Sequence, residues 1–289
     1  MNPYIQSLRL RTLPLSVSGI ILGTGLAFGG QLSAVSCPQW TVFGFALATT
    51  LCLQILSNLA NELGDAQKGT DADQHGRAAY GLQAGTITPK QIKGMIGLFA
   101  GLSVGCGLAL IYCAFGSLFA TQSLVFIGLG LLAVIGAVTY TLGKHSYGYH
   151  GWGDLSVFLF FGLLSTLGAY YLQTQTMTEE VIWCGAAIGL PCVGVLNINN
   201  IRDMDNDRAH GKRTFASLLG KRGGKVYHLF LLVGCLAVFV TYGHYWVLLV
   251  APVWGWQVYY LFTHDNSALD KQMPVLMFST LAVALLALA

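Results

Sequence analysis

The chain has 289 residues, of which 54% are hydrophobic and only 9% are charged, and its formal net charge is +3. A soluble domain usually carries about 25% charged residues, so this composition leaves too little polar surface to cover a water-soluble globule. The composition excludes a soluble protein, gives no sign of a nucleic-acid partner, and indicates a chain whose solvent is largely lipid.

A membrane-spanning helix needs about 20 mostly apolar residues, and nine segments have this character. They are rich in Leu, Val, Ala and Gly without a period of two, which favours helices over barrel strands. The predicted helices run from Leu13 to Phe28, Trp40 to Ala60, Gly94 to Phe115, Leu124 to Leu142, Leu155 to Leu172, Val181 to Ile201, Val226 to Tyr242, Tyr245 to Phe262, and Pro274 to Leu288. They account for nearly the whole chain, so residues 1–289 are predicted to form one all-α membrane domain.

The placement of basic residues predicts the topology of the nine helices. With the N-terminus on side one, all 15 Lys and Arg residues fall on that side, and the alternate loops carry none. Cytoplasmic loops of membrane proteins carry the excess of Lys and Arg. The chain is therefore predicted to be a multi-pass protein of the cell inner membrane, with its N-terminus in the cytoplasm and its C-terminus outside.

Two predicted cytoplasmic loops, about 58–93 and 197–225, contain matching polar stretches. Each begins with Asn-x-x-Asn at the end of a predicted helix and then becomes acidic. Helical residues spaced by three and seven lie along one face, and such a polar face is costly in lipid. Both faces are therefore expected to border one interior cavity. The residues at this spacing are Asn58, Asn61 and Asp65 in the first stretch and Asn200, Asp203 and Asp207 in the second.

The chemistry of these stretches predicts a site for magnesium and diphosphate. Carboxylate and amide oxygens suit Mg²⁺, which is commonly completed by substrate phosphates. Basic side chains beside an acidic cluster indicate an anionic ligand as well, because they supply charge-assisted hydrogen-bond donors. The candidate diphosphate ligands are Asn58, Lys68, Asn199, Arg202, Lys212 and Arg213.

The two stretches resemble the Asp-rich motifs of the UbiA superfamily of intramembrane aromatic prenyltransferases. The motif residues are Asn61, Glu62, Asp65 and Asp71 in the first stretch and Asn200, Arg202, Asp203 and Asp207 in the second. Residues 9–14, 57–61, 64–69, 147–149, 153–154 and 197–211 most resemble the 1,4-dihydroxy-2-naphthoate polyprenyltransferases of the menaquinone pathway. The resemblance extends to about residue 228, and the last two helices match in hydrophobicity alone. Glu62 departs from the family, which usually has Asp there.

The resemblance implies nine transmembrane helices around a central cavity that opens toward lipid and is capped by cytoplasmic loops. It implies Mg²⁺ as the cofactor, with an all-trans polyprenyl diphosphate and an aromatic acid as substrates. The allylic diphosphate would ionise and the aromatic ring would attack. In the naphthoate branch the ring also loses CO₂, which gives demethylmenaquinol.

The resemblance also implies roles for the motif residues and for a lysine between them. Asn61, Asp65 and Asp71 would hold one Mg²⁺, and Asn200, Asp203 and Asp207 would hold the other, with Asp65, Asp203 and Asp207 essential for catalysis. Lys144 and Arg202 would bind diphosphate oxygens, with a basic anchor at a helix exit as the alternative role of Lys144.

Three tyrosines are candidates for the wall around the allyl cation, because aromatic faces attract cations. They are Tyr140, Tyr147 and Tyr149. Tyr is also enriched at membrane interfaces, so an anchoring role is the alternative.

Three further charged residues have two possible roles each. Asp154 is a candidate for removing a proton from the acceptor, or a stabilising acid at a helix start. Arg9 and Arg11 are candidates for binding the acceptor carboxylate, or basic anchors on the cytoplasmic side.

Two alternatives stay open beside dihydroxynaphthoate prenylation. Another UbiA-type acceptor, such as 4-hydroxybenzoate or homogentisate, would use the same motifs. A transporter would also bury acids among its helices, although transporters place them near the middle of the bilayer. The sequence motifs predict neither the prenyl chain length nor the oligomeric state.

Overall fold

The computed structural model describes residues 2–30, 36–70 and 80–289. Every regular element in these residues is helical, which confirms the all-α prediction. The α-helices are α1 (Pro3–Ser7), α2 (Leu13–Ala27), α3 (Cys37–Lys68), α4 (Pro89–Phe115), α5 (Thr121–Thr139), α6 (Gly153–Val157), α7 (Ser165–Thr174), α8 (Glu179–Arg202), α9 (Met204–Ala209), α10 (Phe215–Thr241), α11 (Ala251–Thr263) and α12 (Gln272–Leu286). A π-helical turn, Phe158–Leu164, joins α6 to α7.

The described chain contains eight helical spans that are long and apolar enough to cross a membrane. They are Pro3–Ala27, Cys37–Lys68, Pro89–Phe115, Thr121–Thr139, Gly153–Thr174, Glu179–Arg202, Phe215–Thr241 and Ala268–Leu286. The chain is thus a multi-pass membrane protein.

The predicted helix from Tyr245 to Phe262 is interrupted. It begins as a 3₁₀ turn, Tyr245–Val250, and continues as α11, which has only 13 residues. Pro252 stands at the start of α11, and proline has no amide hydrogen and clashes with the carbonyl of the preceding turn. The predicted nine helices therefore correspond, in the described chain, to eight continuous spans and this interrupted one.

The interior of the bundle is built around α8, 72% of whose apolar stretch is buried. α8 packs against α10, α12 and the π turn, while α2 packs against α7 and α12. Small residues allow these close approaches: a β-carbon added to Gly162 would lie only 2.6 Å from the Cα of Gly189. Packing of this kind is typical of membrane helices, and it fixes the position of the second acidic stretch at the end of α8.

The first acidic stretch lies within α3. This helix begins at a capping box on Ser36 and ends at Gly69, whose φ is +74°. A left-handed glycine is a common terminator of helices. α3 therefore continues well past the predicted end at Ala60, and the stretch is helical instead of a loop.

Candidate active site

A cavity of about 370 Å³ lies between α3, α5 and the π turn, with one polar end. The polar end is lined by Asn61, Asp65, Asn199, Asp203, Asp207 and Lys212. The apolar walls include Ala46, Leu110, Phe126, Ala133, Phe161 and Leu172. The cavity thus joins a cluster of charged groups to an apolar channel.

The first acidic stretch faces this cavity as its helical spacing predicts. Asn58, Asn61 and Asp65 all line the cavity. The Asn61 amide oxygen accepts a hydrogen bond from the Thr141 hydroxyl at 3.0 Å, and Asp65 Oδ1 accepts one from the Tyr149 hydroxyl at 2.9 Å. Both oxygens are therefore held in fixed directions.

The second acidic stretch brings Asp203 and Asp207 to the same cavity, but Asn200 does not line it. Asn200 is only 2% exposed, and its neighbour Asn199 is on the cavity wall instead. The prediction of one continuous helical face is wrong here because α8 ends at Arg202. Asp203 forms a turn before α9, which changes the direction of the residues that follow.

The charges at the polar end favour the binding of a cation. Lys212 Nζ lies 3.0 Å from an Asp207 carboxylate oxygen. Burial alone would lower the pKa of Lys212, but the carboxylates of Asp207 and Asp65 outweigh it, and the pKa is raised. Burial raises the pKa of Asp207, with Asp203 and Asp65 adding to the effect. The surrounding carboxylates thus raise the pKa of both Asp207 and Lys212, as expected where negative charges lie close together.

The donor atoms fit Mg²⁺ if the substrate completes its coordination. Among the described residues, no group of three or more His, Cys, Asp or Glu side chains could hold a metal ion. Mg²⁺ is commonly bound by one or two carboxylates, with waters and substrate phosphates as the other ligands. Three carboxylates and two amide side chains on the wall of one cavity match that chemistry.

Comparisons with known proteins agree with this geometry. A sequence model of the UbiA prenyltransferase family matches residues 19–282. This chain belongs to that family. It is 41% identical, over 257 residues, to the 1,4-dihydroxy-2-naphthoate octaprenyltransferase of Escherichia coli strain K12, which covers 88% of this chain and 79% of the relative. The Haemophilus influenzae enzyme of the same name is 40% identical, covering 80% of this chain and 74% of the relative.

Solved structures of the UbiA family share the fold. The UbiA homologue from Archaeoglobus fulgidus, bound to DMAPP and Mg²⁺, has a TM-score of 0.62 at 13% identity, covering 99% of both chains. The apo homologue from Aeropyrum pernix K1 has a TM-score of 0.65 at 18% identity, covering 96% of this chain and 97% of that one.

Most of the basic residues predicted to bind diphosphate lie outside the main cavity. Lys68, Lys144 and Arg213 line a separate pocket beside Tyr149. Arg202 is fully engaged: its guanidinium donates to both carboxylate oxygens of Asp203, at 2.7 and 2.6 Å. Of the predicted basic ligands, Lys212 is the one on the wall of the main cavity. Spacing along the chain could not separate Lys212 from Lys68, Arg202 and Arg213, because all four are close in sequence to the acidic stretches.

Two of the three predicted tyrosines line the main cavity, and the third lies outside it. Tyr140 and Tyr147 line the cavity with their rings in an edge-to-face contact at 5.3 Å. Burial raises the pKa of both phenols, so they remain neutral. Tyr149 lies outside the main cavity, with Lys68 Nζ 3.7 Å from its ring centroid. Tyr149 therefore orients Asp65 through its hydroxyl and does not present its ring to the cavity.

Asp154 and Glu62 have contacts that favour structural roles. Asp154 is not on the cavity wall; it lies in the first turn of α6 and hydrogen-bonds to Tyr227. Glu62 is fully buried, and its Oε1 accepts hydrogen bonds from the Ser7 hydroxyl at 3.2 Å and the Leu82 amide at 2.7 Å. The Glu in place of the family's Asp thus ties α3 to two neighbouring segments. The predicted metal ligand Asp71 lies outside the described residues.

Of the two N-terminal arginines, one lines the main cavity and the other lies outside it. Arg9 lines the cavity, and its guanidinium stacks over the Tyr80 ring at 4.0 Å. Its Nε and Nη2 atoms are buried without a hydrogen-bond partner among the described residues. Arg11 is outside the cavity and pairs with Asp270 at 3.5 Å. Sequence reasoning missed Asp270, whose only signal was an isolated acid in a late loop.

Proposed function

We propose that this chain is a 1,4-dihydroxy-2-naphthoate polyprenyltransferase of menaquinone biosynthesis. It transfers a polyprenyl group from an all-trans polyprenyl diphosphate to 1,4-dihydroxy-2-naphthoate, with loss of diphosphate and CO₂, and gives demethylmenaquinol. The observation that carries the proposal is the cavity in which two acidic stretches of a UbiA-family chain meet above an apolar channel. The 41% identity to the enzyme of Escherichia coli supports the choice of acceptor.

The polar end of the cavity would bind the diphosphate of the donor. Each Mg²⁺ would be held there by one or two of the carboxylates of Asp65, Asp203 and Asp207, with the amide oxygens of Asn61 and Asn199 and the diphosphate as further ligands. The metal would stabilise the charge that grows on the leaving diphosphate. Lys212 is placed to donate hydrogen bonds to the diphosphate oxygens. Its ion pair with Asp207 keeps it protonated in a buried position.

The apolar channel would hold the prenyl tail and release its far end into the bilayer through a gap between α5 and α7. One aromatic contact and one hydrogen bond bound this gap along α5. Near one end of α5, Phe126 stacks on Tyr171 at 5.8 Å, and near the other end the Tyr147 hydroxyl donates to the Gly136 carbonyl at 2.9 Å. Between these contacts the α5 residues that line the cavity are Leu129, Gly130 and Ala133. Gly130 is exposed and would have nothing within 4 Å of an added β-carbon.

The acceptor would bind beside Arg9. A guanidinium with two unpartnered, buried nitrogens is placed to bind a carboxylate through charge-assisted hydrogen bonds. Gln54 and Ser57 line the same part of α3, and Gln54 Oε1 is also buried without a partner among the described residues. These groups could receive the hydroxyls of the naphthoate ring, so the acceptor's carboxylate and hydroxyls would set its orientation.

The reaction then follows from the placement of the two substrates. The allylic C–O bond of the donor breaks, and the bonding pair leaves with the diphosphate. The neutral rings of Tyr140 and Tyr147 stabilise the allyl cation, an attraction worth up to about 2 kcal/mol when desolvated. A carbon–carbon bond forms to the acceptor ring, the carboxylate leaves as CO₂, and its bonding pair returns to the ring.

The positive-inside pattern supports a topology with the polar end of the cavity and the N-terminus in the cytoplasm and the C-terminus outside. An alkaline phosphatase fused after Ala289 should therefore be active in intact cells. An inactive fusion with an intact reading frame would contradict this topology.

The function is tested with the purified protein in lipid nanodiscs, Mg²⁺ and a labelled polyprenyl diphosphate. Dihydroxynaphthoate, 4-hydroxybenzoate and homogentisate are supplied separately. We expect a prenylated product and CO₂ from dihydroxynaphthoate alone, and no product in EDTA. Product from another acceptor would move the chain to a different branch of the family, and no product from any acceptor with folded protein would refute the proposal.

A further inference from the structure

A chain of alternating charges connects the cavity to the start of the protein. Arg202 Nη1 lies 2.5 Å from Asp270 Oδ1, and the other nitrogens of Arg202 hold both oxygens of Asp203. Asp270 Oδ2 lies 3.5 Å from Arg11. The side-chain exposure rises along this chain, from 6% at Arg202 to 25% at Asp270 and 41% at Arg11.

The segment that carries Asp270 is attached directly to the end of α8. Asn266 donates its side-chain amide to the carbonyl of Ile201 at 3.2 Å. The residues Asn266–Lys271 form a 3₁₀ turn that leads into α12. Because of this attachment, Asp270 approaches Arg202 from the side opposite Asp203, in a part of the chain far from either acidic stretch.

This arrangement determines how much negative charge Asp203 can offer to a cation. A bidentate arginine fixes the orientation of a carboxylate but neutralises it. A second carboxylate on the same guanidinium shares that positive charge, so the buried group Asp203–Arg202–Asp270 carries one net negative charge. Arg11 offsets little of this charge, because it lies 3.5 Å from Asp270 and its side chain is 41% exposed to the screening solvent. Without Asp270, the buried pair Arg202–Asp203 would be neutral, and a divalent cation beside it would gain little.

We propose that Asp270 is a positioning residue that, through Arg202, keeps Asp203 oriented and negatively charged for a divalent cation bound with diphosphate. The proposal rests on the proposed function, since that function supplies the metal and the diphosphate. Outer partners of this kind typically change metal affinity by about 10- to 100-fold.

The test compares Mn²⁺ binding by Asp270→Asn and by the unsubstituted protein. Free Mn²⁺ is followed by electron paramagnetic resonance in the presence of inorganic diphosphate. We expect the dissociation constant for Mn²⁺ to rise about 10-fold in Asp270→Asn. The Mg²⁺ concentration for half-maximal activity should rise in parallel, while the KM for the prenyl donor at saturating Mg²⁺ should stay unchanged.

The matched control is Asp205→Asn. Asp205 forms a 2.6 Å ion pair with Lys221, but its side chain is 73% exposed and lies outside the charge chain. Its Mn²⁺ affinity should equal that of the unsubstituted protein. If Asp270→Asn fails to fold, Asp270→Glu and Asp270→Gln provide a pair of equal length that differs in charge, and Glu should bind Mn²⁺ more tightly than Gln.

An unchanged Mn²⁺ affinity in Asp270→Asn, or equal affinities for Glu and Gln at this position, would overturn the proposal. The binding measurement uses neither prenyl donor nor acceptor. Its failure would leave the proposed reaction intact, and failure of the acceptor assay would leave the binding result interpretable.

Discussion

Gly130→Leu should discriminate between long and short prenyl donors. Gly130 lines the cavity on α5, where we propose that the tail leaves between α5 and α7, and a β-carbon there meets no atom within 4 Å. The first carbon of a larger side chain therefore meets open space, and we expect the empty protein to tolerate the substitution. The larger side chain would compete only with a tail that passes through the gap.

The length at which discrimination begins follows from the helix geometry. Tyr140 marks the polar end of the cavity, and Gly130 lies about 15 Å from it along α5, at 1.5 Å per residue. A trans chain of three bonds spans about 3.8 Å, so one isoprene unit with four bonds spans about 5 Å. A geranyl tail of about 10 Å ends before Gly130, whereas an octaprenyl tail of about 40 Å must pass it.

The size of the effect is set by the cost of overpacking. Forcing extra methyl groups into an occupied space costs about 1–3 kcal/mol, which corresponds to about a 5- to 150-fold loss of kcat/KM. We expect this loss with octaprenyl diphosphate and less than a twofold change with geranyl diphosphate. The measurement is initial prenylation rates in nanodiscs at saturating acceptor.

Gly128→Leu is the matched control for this experiment. Gly128 lies on the same helix and is also exposed, with nothing within 4 Å of an added β-carbon, but it does not line the cavity. Its activity with both donors should be unchanged. Equal losses for both donors in Gly130→Leu, or equal losses in the two variants with the long donor, would refute the route between α5 and α7.

Three further substitutions test the other parts of the site. Arg9→Gln should raise the KM for dihydroxynaphthoate about 10- to 100-fold, through loss of a charged hydrogen bond worth about 1.5–3 kcal/mol. Arg11→Gln should leave that KM unchanged, and equal effects of the two would contradict the acceptor site. Asp65→Asn and Asp203→Asn should each lower kcat about 100-fold or more with the fold intact, and activity near the unsubstituted level in both would exclude their role with the metal. Glu62→Ala should lower stability by about 1–3 kcal/mol, because it leaves the buried Ser7 hydroxyl and the part-buried Leu82 amide without their acceptor; an unchanged melting temperature would contradict this.

Helical spacing in the sequence predicted the part of the site that lies within one continuous helix. Asn58, Asn61 and Asp65 reach one wall because α3 runs unbroken through all three. The same rule failed for Asn200, since the helix ends before Asp203. The sequence there contains no glycine or proline that would mark the end of α8, so spacing alone gave no warning.

Long-range pairing explains why the anion-binding residues could not be predicted. Arg202 is adjacent to Asp203 in sequence, which suggests a free cation next to a metal ligand. Its third nitrogen is instead occupied by Asp270, 68 residues away, in a segment that carries no recognisable motif, although the family's sequence model matches the chain to residue 282. Whether an arginine is free to bind an anion depends on all the carboxylates that contact it, including those distant in sequence. A buried guanidinium with an unpaired nitrogen would lower the stability of the fold, so such distant partners are expected. The proposed role of Asp270 therefore gives the segment before α12 a part in the chemistry of the site, although none of the residues described after Lys212 lines its cavity.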